Sequence, residues 1–415
     1  MPEWLKEKIR PELVLYVATF AAIGPLLIEK DWLVKSGMAI FLLGTGYLFF
    51  RQPRETLGDW EKNWIKIVLL YVAVFFISFL LRPPYTEDGI WRLSAPGLML
   101  LVLVWFSAVV RQRLQWSAVK AVALGIVGWG VVIALWEGWM IRPDFLDTSY
   151  KLGTYVSDLG AMGGIIPLGA GLALIAALHE RRSKFWWGVA LAGLILVLLL
   201  KKRTPLVLYG VMLAVWAGWL FVRHGGLAVW HRWLLVSAVG AVLVVGGYLQ
   251  RDLVKAAYQD YVAAVEEGNY VTSLGLRYRM LQLGIQLIKQ RPITGWGPSG
   301  YKSEGLWPLL EKEEKNPSAR DLIAHFTHLH NQFVMDWVLS GIFGFLSGLL
   351  LLFYPVYLAV KNQQDRWGSG VLMAGLGLGI IAVMMFGALF TYTYTTVAIM
   401  LTLSSIVAVS AGRQT

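Results

Sequence analysis

Apolar runs of roughly 18 to 22 residues recur along this chain, and as α-helices each would cross about 30 Å of hydrocarbon. Within a bilayer no water is present to satisfy backbone N–H and C=O groups, so such a run has to close its own hydrogen-bond ladder as a helix. A composition that is 57% apolar, with mean hydropathy +0.59, fits the same reading. The expected fold class is an all-α polytopic membrane protein. Polar or Pro/Gly breaks predict helices over 13–28, 32–50, 64–81, 93–110, 118–140, 159–178, 185–200, 205–222, 232–249, 331–360, 370–388 and 390–411, about twelve transmembrane helices in all. The charged opening Met1 to Lys8 is followed by no small-residue cleavage pattern, so the first helix is expected to be a retained anchor.

Orientation follows from the short loops. Arg51, Arg54 and Lys62, then Arg111 and Arg113, then Arg181, Arg182 and Lys184, then Arg223 and Arg232, then Lys361 and Arg366 fall in alternate connections, which places those loops and both termini in the cytoplasm. Most of the formal charge of +11 is therefore topological and calls for no nucleic-acid partner. Trp32, Trp60, Trp64, Trp91, Trp139 and Trp230 near helix ends read as interfacial belts. The chain divides into transmembrane helices one to nine over 1–249, one large outer loop over 250–329, and helices ten to twelve over 330–415. In a Gram-negative cell the outer loop is periplasmic. With no cysteine, no disulfide staples it.

Inside the loop, 251–267 and 275–290 carry apolar residues at helical spacing and are expected to be amphipathic helices on the membrane face. Between 291 and 301 the glycines 295, 297 and 300 and prolines 292 and 298 argue against regular structure and permit close backbone approach. The acidic cluster Glu311, Glu313 and Glu314 against Lys312, Lys315 and Arg320 reads as a solvated face. Three of the six histidines, His325, His328 and His330, then close the loop. They fit no HExxH pattern and have no thiolate nearby, so a zinc site is open but not favoured, and no metal or other cofactor is expected. His330 stands at the start of a helix, where it is either structural or a neutral base.

One loop departs from the charge rule. Lys201, Lys202 and Arg203 fall on the outer side, which points to an anionic ligand, to cations snorkelling toward lipid phosphates, or to a helix miscount. Arg277 and Arg279 open the second loop helix and are either solvated or part of the same anion site. Charged residues are nearly absent from helix centres, which disfavours a lipid or solute transporter, the reading from another functional class.

Three separated segments resemble the O-antigen ligase and polymerase superfamily of bacterial inner-membrane glycosyltransferases. HNQFVMDWVLSGIFG at 330–344 is similar to its His-Asn helix start with a Gly-x-x-Gly exit, GLRYRMLQLGIQLIKQRPITGWGPSGY at 275–301 to its arginine-led helix running into Pro-x-x-Gly-x-Gly-Pro, and KKRTP at 201–205 to its other functional arginine. The usual Ser-Arg-Gly is replaced here by Lys-Arg-Thr-Pro, and the Glu common before the glycine of the His helix is replaced by Leu339 and Ser340.

The resemblance implies a GT-C-like, inverting, metal-independent transfer of O-antigen glycan from undecaprenyl pyrophosphate to a sugar hydroxyl of lipid A-core, on the periplasmic face of the inner membrane. It implies Arg203 and Arg277 as pyrophosphate ligands and His330 as the base, with Lys202, Arg279, Asn331 and His328 as substrate-binding neighbours. An O-antigen polymerase or a protein O-oligosaccharyltransferase would use the same donor. Membrane lipids are the further expected partner, and the residues are silent on oligomeric state.

Overall fold

The computed structural model describes residues 10–28, 31–51, 55–83, 85–141, 159–200, 202–222, 251–326, 328–361, 368–385, 387–391 and 393–411, with isolated helical positions between 230 and 248. The expected segment 232–249 lies largely outside the described residues, as do Lys201, Arg54, Arg223, Arg232 and Arg366. Among the described residues all regular structure is helical. In chain order we label α1 Pro11–Ile28, α2 Asp31–Phe50, α3 Asp59–Leu80, α4 Glu87–Arg111, α5 Gln115–Ile141, α6 Leu159–His179, α7 Lys184–Leu199, α8 Arg203–Val222, α9 Arg251–Val265 and α10 Ser273–Gln290. A short helical turn Gly297–Gly300 and a π-helical turn Tyr301–Leu306 lead into α11 Trp307–Glu313, followed by α12 Pro317–His325, α13 Gln332–Lys361, α14 Ser369–Met384 and α15 Thr393–Ala411.

Four helices, Asp59–Leu80, Glu87–Arg111, Gln115–Met140 and Gln332–Lys361, are long and apolar enough to cross a membrane, and seven further apolar helices are shorter over the residues described. The architecture is that of a polytopic membrane protein. Leu43, Phe50, Leu80 and Leu135 stand outward without cover, whereas α15 is buried at every described side chain from Thr395 to Ala411. Its hydroxyls turn back on the helix, Thr402 Oγ1 donating to Ala398 O and Ser405 Oγ to Leu401 O, which lets a serine- and threonine-bearing helix occupy the centre of the bundle. Small residues bring helix axes close: a Cβ on Gly193 of α7 would lie 2.8 Å from Ala170 Cβ of α6, and one on Gly375 of α14 would lie 2.9 Å from Met212 O of α8.

Polar contacts sort the connections into two ends. At one, Glu55 N donates to Arg111 O, Arg113 pairs with Glu55, Lys120 pairs with Glu180, and Lys361 Nζ stands 4.3 Å from the Trp60 ring centre. These are cation-bearing loops that the charge alternation groups together. At the other, Arg82 Nη2 donates to Thr294 Oγ1, Thr86 N to Ser299 Oγ, and Asn331 Nδ2 to Met385 O. The helices α9 to α12 and the three histidines lie at this second end.

Candidate active site

The long helix α13 is broken, contrary to the uninterrupted helix expected over 331–360. Ser340 (φ −127°, ψ 15°) and Gly341 (φ 66°, ψ −160°) leave helical geometry, and the glycine-rich loop after α10 fills the break. Trp296 N donates to Val338 O at 2.7 Å, Ile342 N to Pro292 O at 3.0 Å, and Trp337 Nε1 to the same Pro292 O at 2.8 Å. Backbone groups freed by the break are thus satisfied by the loop. The approach demands glycine on both sides: a Cβ on Gly295 would lie 2.6 Å from Gly341 N, and one on Gly341 would collide with the Ile293 carbonyl. Ser78 Oγ, donating to Leu339 O at 2.8 Å, ties α3 to the same point. Close approach was expected of this loop, but regular structure resumes sooner than its glycines predict, with helical turns from Gly297 to Leu306.

This clamp sets α10 against the start of α13. Thr272 caps α10 by accepting from Gly275 N at 3.0 Å, and Arg277 follows one turn in, its Nη1 donating to Ser273 O and Oγ at 2.7 and 2.6 Å. Asn331 caps α13, its Oδ1 accepting from Val334 N at 3.0 Å while Nδ2 reaches Met385 O at 2.9 Å. Gln332 bridges Phe390 N and Asp336 Oδ1, and Tyr71 also donates to that carboxylate. The segment 330–336 is therefore held from three directions.

His330 sits between this capped helix and α12 with φ +51°, a left-handed conformation that costs a non-glycine residue roughly 1–2 kcal/mol. Its ring lies 4.2 Å from that of His328 and 4.8 Å from that of Phe326, both edge-on. Burial, then His328 and Arg277, pushes His330 down to about 3, and burial foremost pushes His328 down to about 4. Both imidazoles are neutral near pH 7. A cavity of about 290 Å³ opens beside His330, with Arg277 and Asn331 among its lining and Tyr261, Val265, Leu274, Tyr278 and Met385 supplying an apolar remainder. One end of this slot can hold an anion next to a neutral base, and the rest suits an apolar chain.

The other expected residues take different places. His328 is buried behind His330 and does not line the cavity, and His325 ends α12 exposed. Arg279 faces away from the cavity: Nε donates to Glu314 Oε2 at 2.9 Å and Nη2 to Glu313 O at 2.8 Å, and in this ion pair Glu314 is buried and Arg279 partly so. Glu314 accordingly departs from the solvated face expected of its cluster. Lys202 is half-buried against Gly163 of α6. The side chain of Arg203 lies outside the described residues, but its backbone can be placed: α8 runs antiparallel to α14, with Trp219 on Gly368, Met212 on Gly375 and Leu208 on Gly379.

Three charged residues were not singled out from the sequence. Asp88 accepts from Arg92 Nε and Nη2 at 3.1 and 3.0 Å, and Arg92 is buried with its guanidinium 4.8 Å from the Tyr301 ring centre. Their i,i+4 spacing at the start of an apolar helix was the available signal. Asp336, in the first turns of α13, is likewise buried.

Residues 188–349, from α7 to the break in α13, match the family model described as O-antigen ligase. That stretch of the chain is similar to the O-antigen ligase superfamily. The chain is also 28% identical over 110 residues to an O-antigen ligase of Escherichia coli, covering 26% of this chain and 25% of that protein. An uncharacterized protein of Haemophilus influenzae is 23% identical over 344 residues, 79% of this chain and 80% of that one. The ligase match takes in Lys202, Arg203, Arg277, Arg279, His328, His330 and Asn331, and with it the clamp between the loop and α13. Members of that family are glycosyltransferase-type enzymes acting on lipid-linked glycan. Among the described residues no group of three or more acidic or histidine side chains could hold a metal ion.

Proposed function

We propose that this chain, as a member of the O-antigen ligase family, transfers a glycan from undecaprenyl pyrophosphate to a sugar hydroxyl of lipid A-core at the periplasmic face of the inner membrane, with inversion and without a metal. The observation that carries the reading is the slot in which Arg277, His330 and Asn331 meet an apolar wall. A lipid diphosphate has the matching character, an anionic head on an apolar chain. In the proposed reaction His330 accepts the proton of the acceptor hydroxyl, whose oxygen forms a bond to the anomeric carbon. The bond from that carbon to the diphosphate oxygen breaks with both electrons, and the departing diphosphate is stabilised by Arg277 and, from α8, by Arg203 with Lys202 beside it. A base contributes roughly 100- to 10,000-fold, and alignment of the two lipid-bound reactants supplies much of the rest.

The depressed basicity of His330 bears on this mechanism. An imidazole near 3 is always free to accept a proton but binds it weakly, whereas general bases work best near the ambient pH. A diphosphate on Arg277 would oppose the cation that helps to depress His330 and raise its affinity for a proton when donor is bound. Asn331 fixes the start of α13, His328 backs His330, and Arg279 serves through Glu314 to orient α10.

The test uses purified protein, undecaprenyl-pyrophosphate glycan and lipid A-core, in the presence of EDTA and without an energy source. Formation of glycosylated lipid A-core is expected. Extension of the donor glycan alone would instead indicate a polymerase, and flux without a new glycosidic bond a transporter.

A further inference from the structure

We infer that Arg92 and Lys302 form a second phosphate subsite beside His328, separate from the Arg277 cavity. Asp88 occupies two nitrogens of Arg92, and the guanidinium side chain is only 6% exposed. Its third nitrogen, Nη1, is buried with no hydrogen-bond partner among the described residues, and so is the hydroxyl of Tyr301 beneath it. Lys302 follows Tyr301 in the π-helical turn, half-buried, with no hydrogen bond or ion pair among the described residues, and within electrostatic reach of both Arg92 and Asp88. Two neighbouring cations thus share one carboxylate. A buried donor left unsatisfied costs about 1–3 kcal/mol, more when charged, and adjacent like charges add to that. An anion with several acceptor oxygens removes both costs at once.

A water offers less. The small cavity of about 20 Å³ that Arg92 lines with Gln332 and Asp336 has room for one, which could serve Nη1 but would leave Arg92 and Lys302 with the Asp88 carboxylate still shared between them. The location also favours a ligand shared with the main cavity: Thr86 N donates to Ser299 Oγ and Gly89 packs on Ser299, so the start of α4 sits directly under the loop that carries Lys302, and His328 lies in the field of Arg92, Lys302 and Arg277 together. π-Helical turns recur at functional sites. The inference rests on the diphosphate reading above, since the same ligand would supply the second phosphate.

The experiment measures inorganic pyrophosphate binding by calorimetry, with the full chain in phosphatidylcholine nanodiscs. Lys302→Gln and Arg92→Gln should each weaken binding roughly tenfold or more. Arg320→Gln, on the loop surface, should leave it unchanged. Lys302 is at a partly exposed position and its substitution spares the fold, so wild-type affinity in Lys302→Gln overturns the subsite whatever Arg92→Gln does. Repeating the titration with phosphatidylglycerol in the disc separates two sources of phosphate: competition that disappears in Lys302→Gln means lipid headgroups also enter, and no competition means the subsite selects the diphosphate. Because no glycan is present, weakened binding in Lys302→Gln upholds the subsite even if the wild type transfers nothing. Conversely, transfer by the wild type together with unchanged pyrophosphate binding leaves the ligase reading standing and removes the subsite.

Discussion

Gly341→Ala probes the clamp that brings Arg277 and His330 together. At φ 66° and ψ −160° this position lies in a region that only glycine occupies readily, so alanine carries about 1–3 kcal/mol of backbone strain. The added methyl would also drive into the Ile293 carbonyl and come within 2.8 Å of Thr294 N. Moving that loop away lengthens the hydrogen bonds from Ile342 N to Pro292 O and from Trp296 N to Val338 O, at about 0.5–1.5 kcal/mol each. Together the local cost is about 2–6 kcal/mol. Global melting of a large membrane protein would dilute such a change, so hydrogen exchange at Ile342 and Trp296 in nanodiscs is the better assay. Two kcal/mol or more corresponds to faster exchange by about 30-fold or more at those amides. Gly97→Ala serves as the control, because a Cβ there meets nothing within 4 Å. Equal protection in Gly341→Ala and wild type would refute the clamp.

Other outcomes follow from the same geometry. Arg279→Ala strands the buried Glu314 carboxylate and should destabilise the docking of α10 on α11 by about 3–5 kcal/mol, read as protease sensitivity of the 291–316 segment. Adding Glu314→Gln should restore much of the loss, and failure of that rescue would exclude the ion pair as the cause. His328 and His330 both have folded-state values below the ordinary 6.5 of histidine, so below about pH 6.5 the unfolded chain binds protons that the folded site refuses. Stability of the outer helices should therefore fall as pH drops from about 6.5 toward 4 and be flat above 7 as far as these groups are concerned. A replacement of His328 by Gln should flatten part of that slope.

Hydropathy made the helices legible because an apolar run in a bilayer has one way to satisfy its backbone. The motif glycines were legible as sites of close approach, but the partner of that approach was not. The Gly-x-x-Gly at 341–344 marked the place but not a break inside a longer helix, since the groups that satisfy the break, Pro292 and Trp296, lie some fifty residues earlier. Burial of charge was the other blind spot. Glu314 and Asp336 read as ordinary polar residues until their tertiary partners are known, because Arg279 and Tyr71 are remote from them in sequence. Of the candidate site, His330, Asn331 and Arg277 were singled out from sequence and meet at one cavity. Arg279 was grouped with them by adjacency, yet two residues along a helix point to a different face.

The measurement closest to the central claim is the transfer rate of His330→Ala with lipid-linked donor and lipid A-core, alongside its binding of inorganic pyrophosphate. A base at His330 predicts a rate reduced by about 100-fold or more with pyrophosphate binding retained, since Arg277 and the clamp are untouched. Transfer within a few-fold of wild type by a folded, pyrophosphate-binding His330→Ala protein would contradict it.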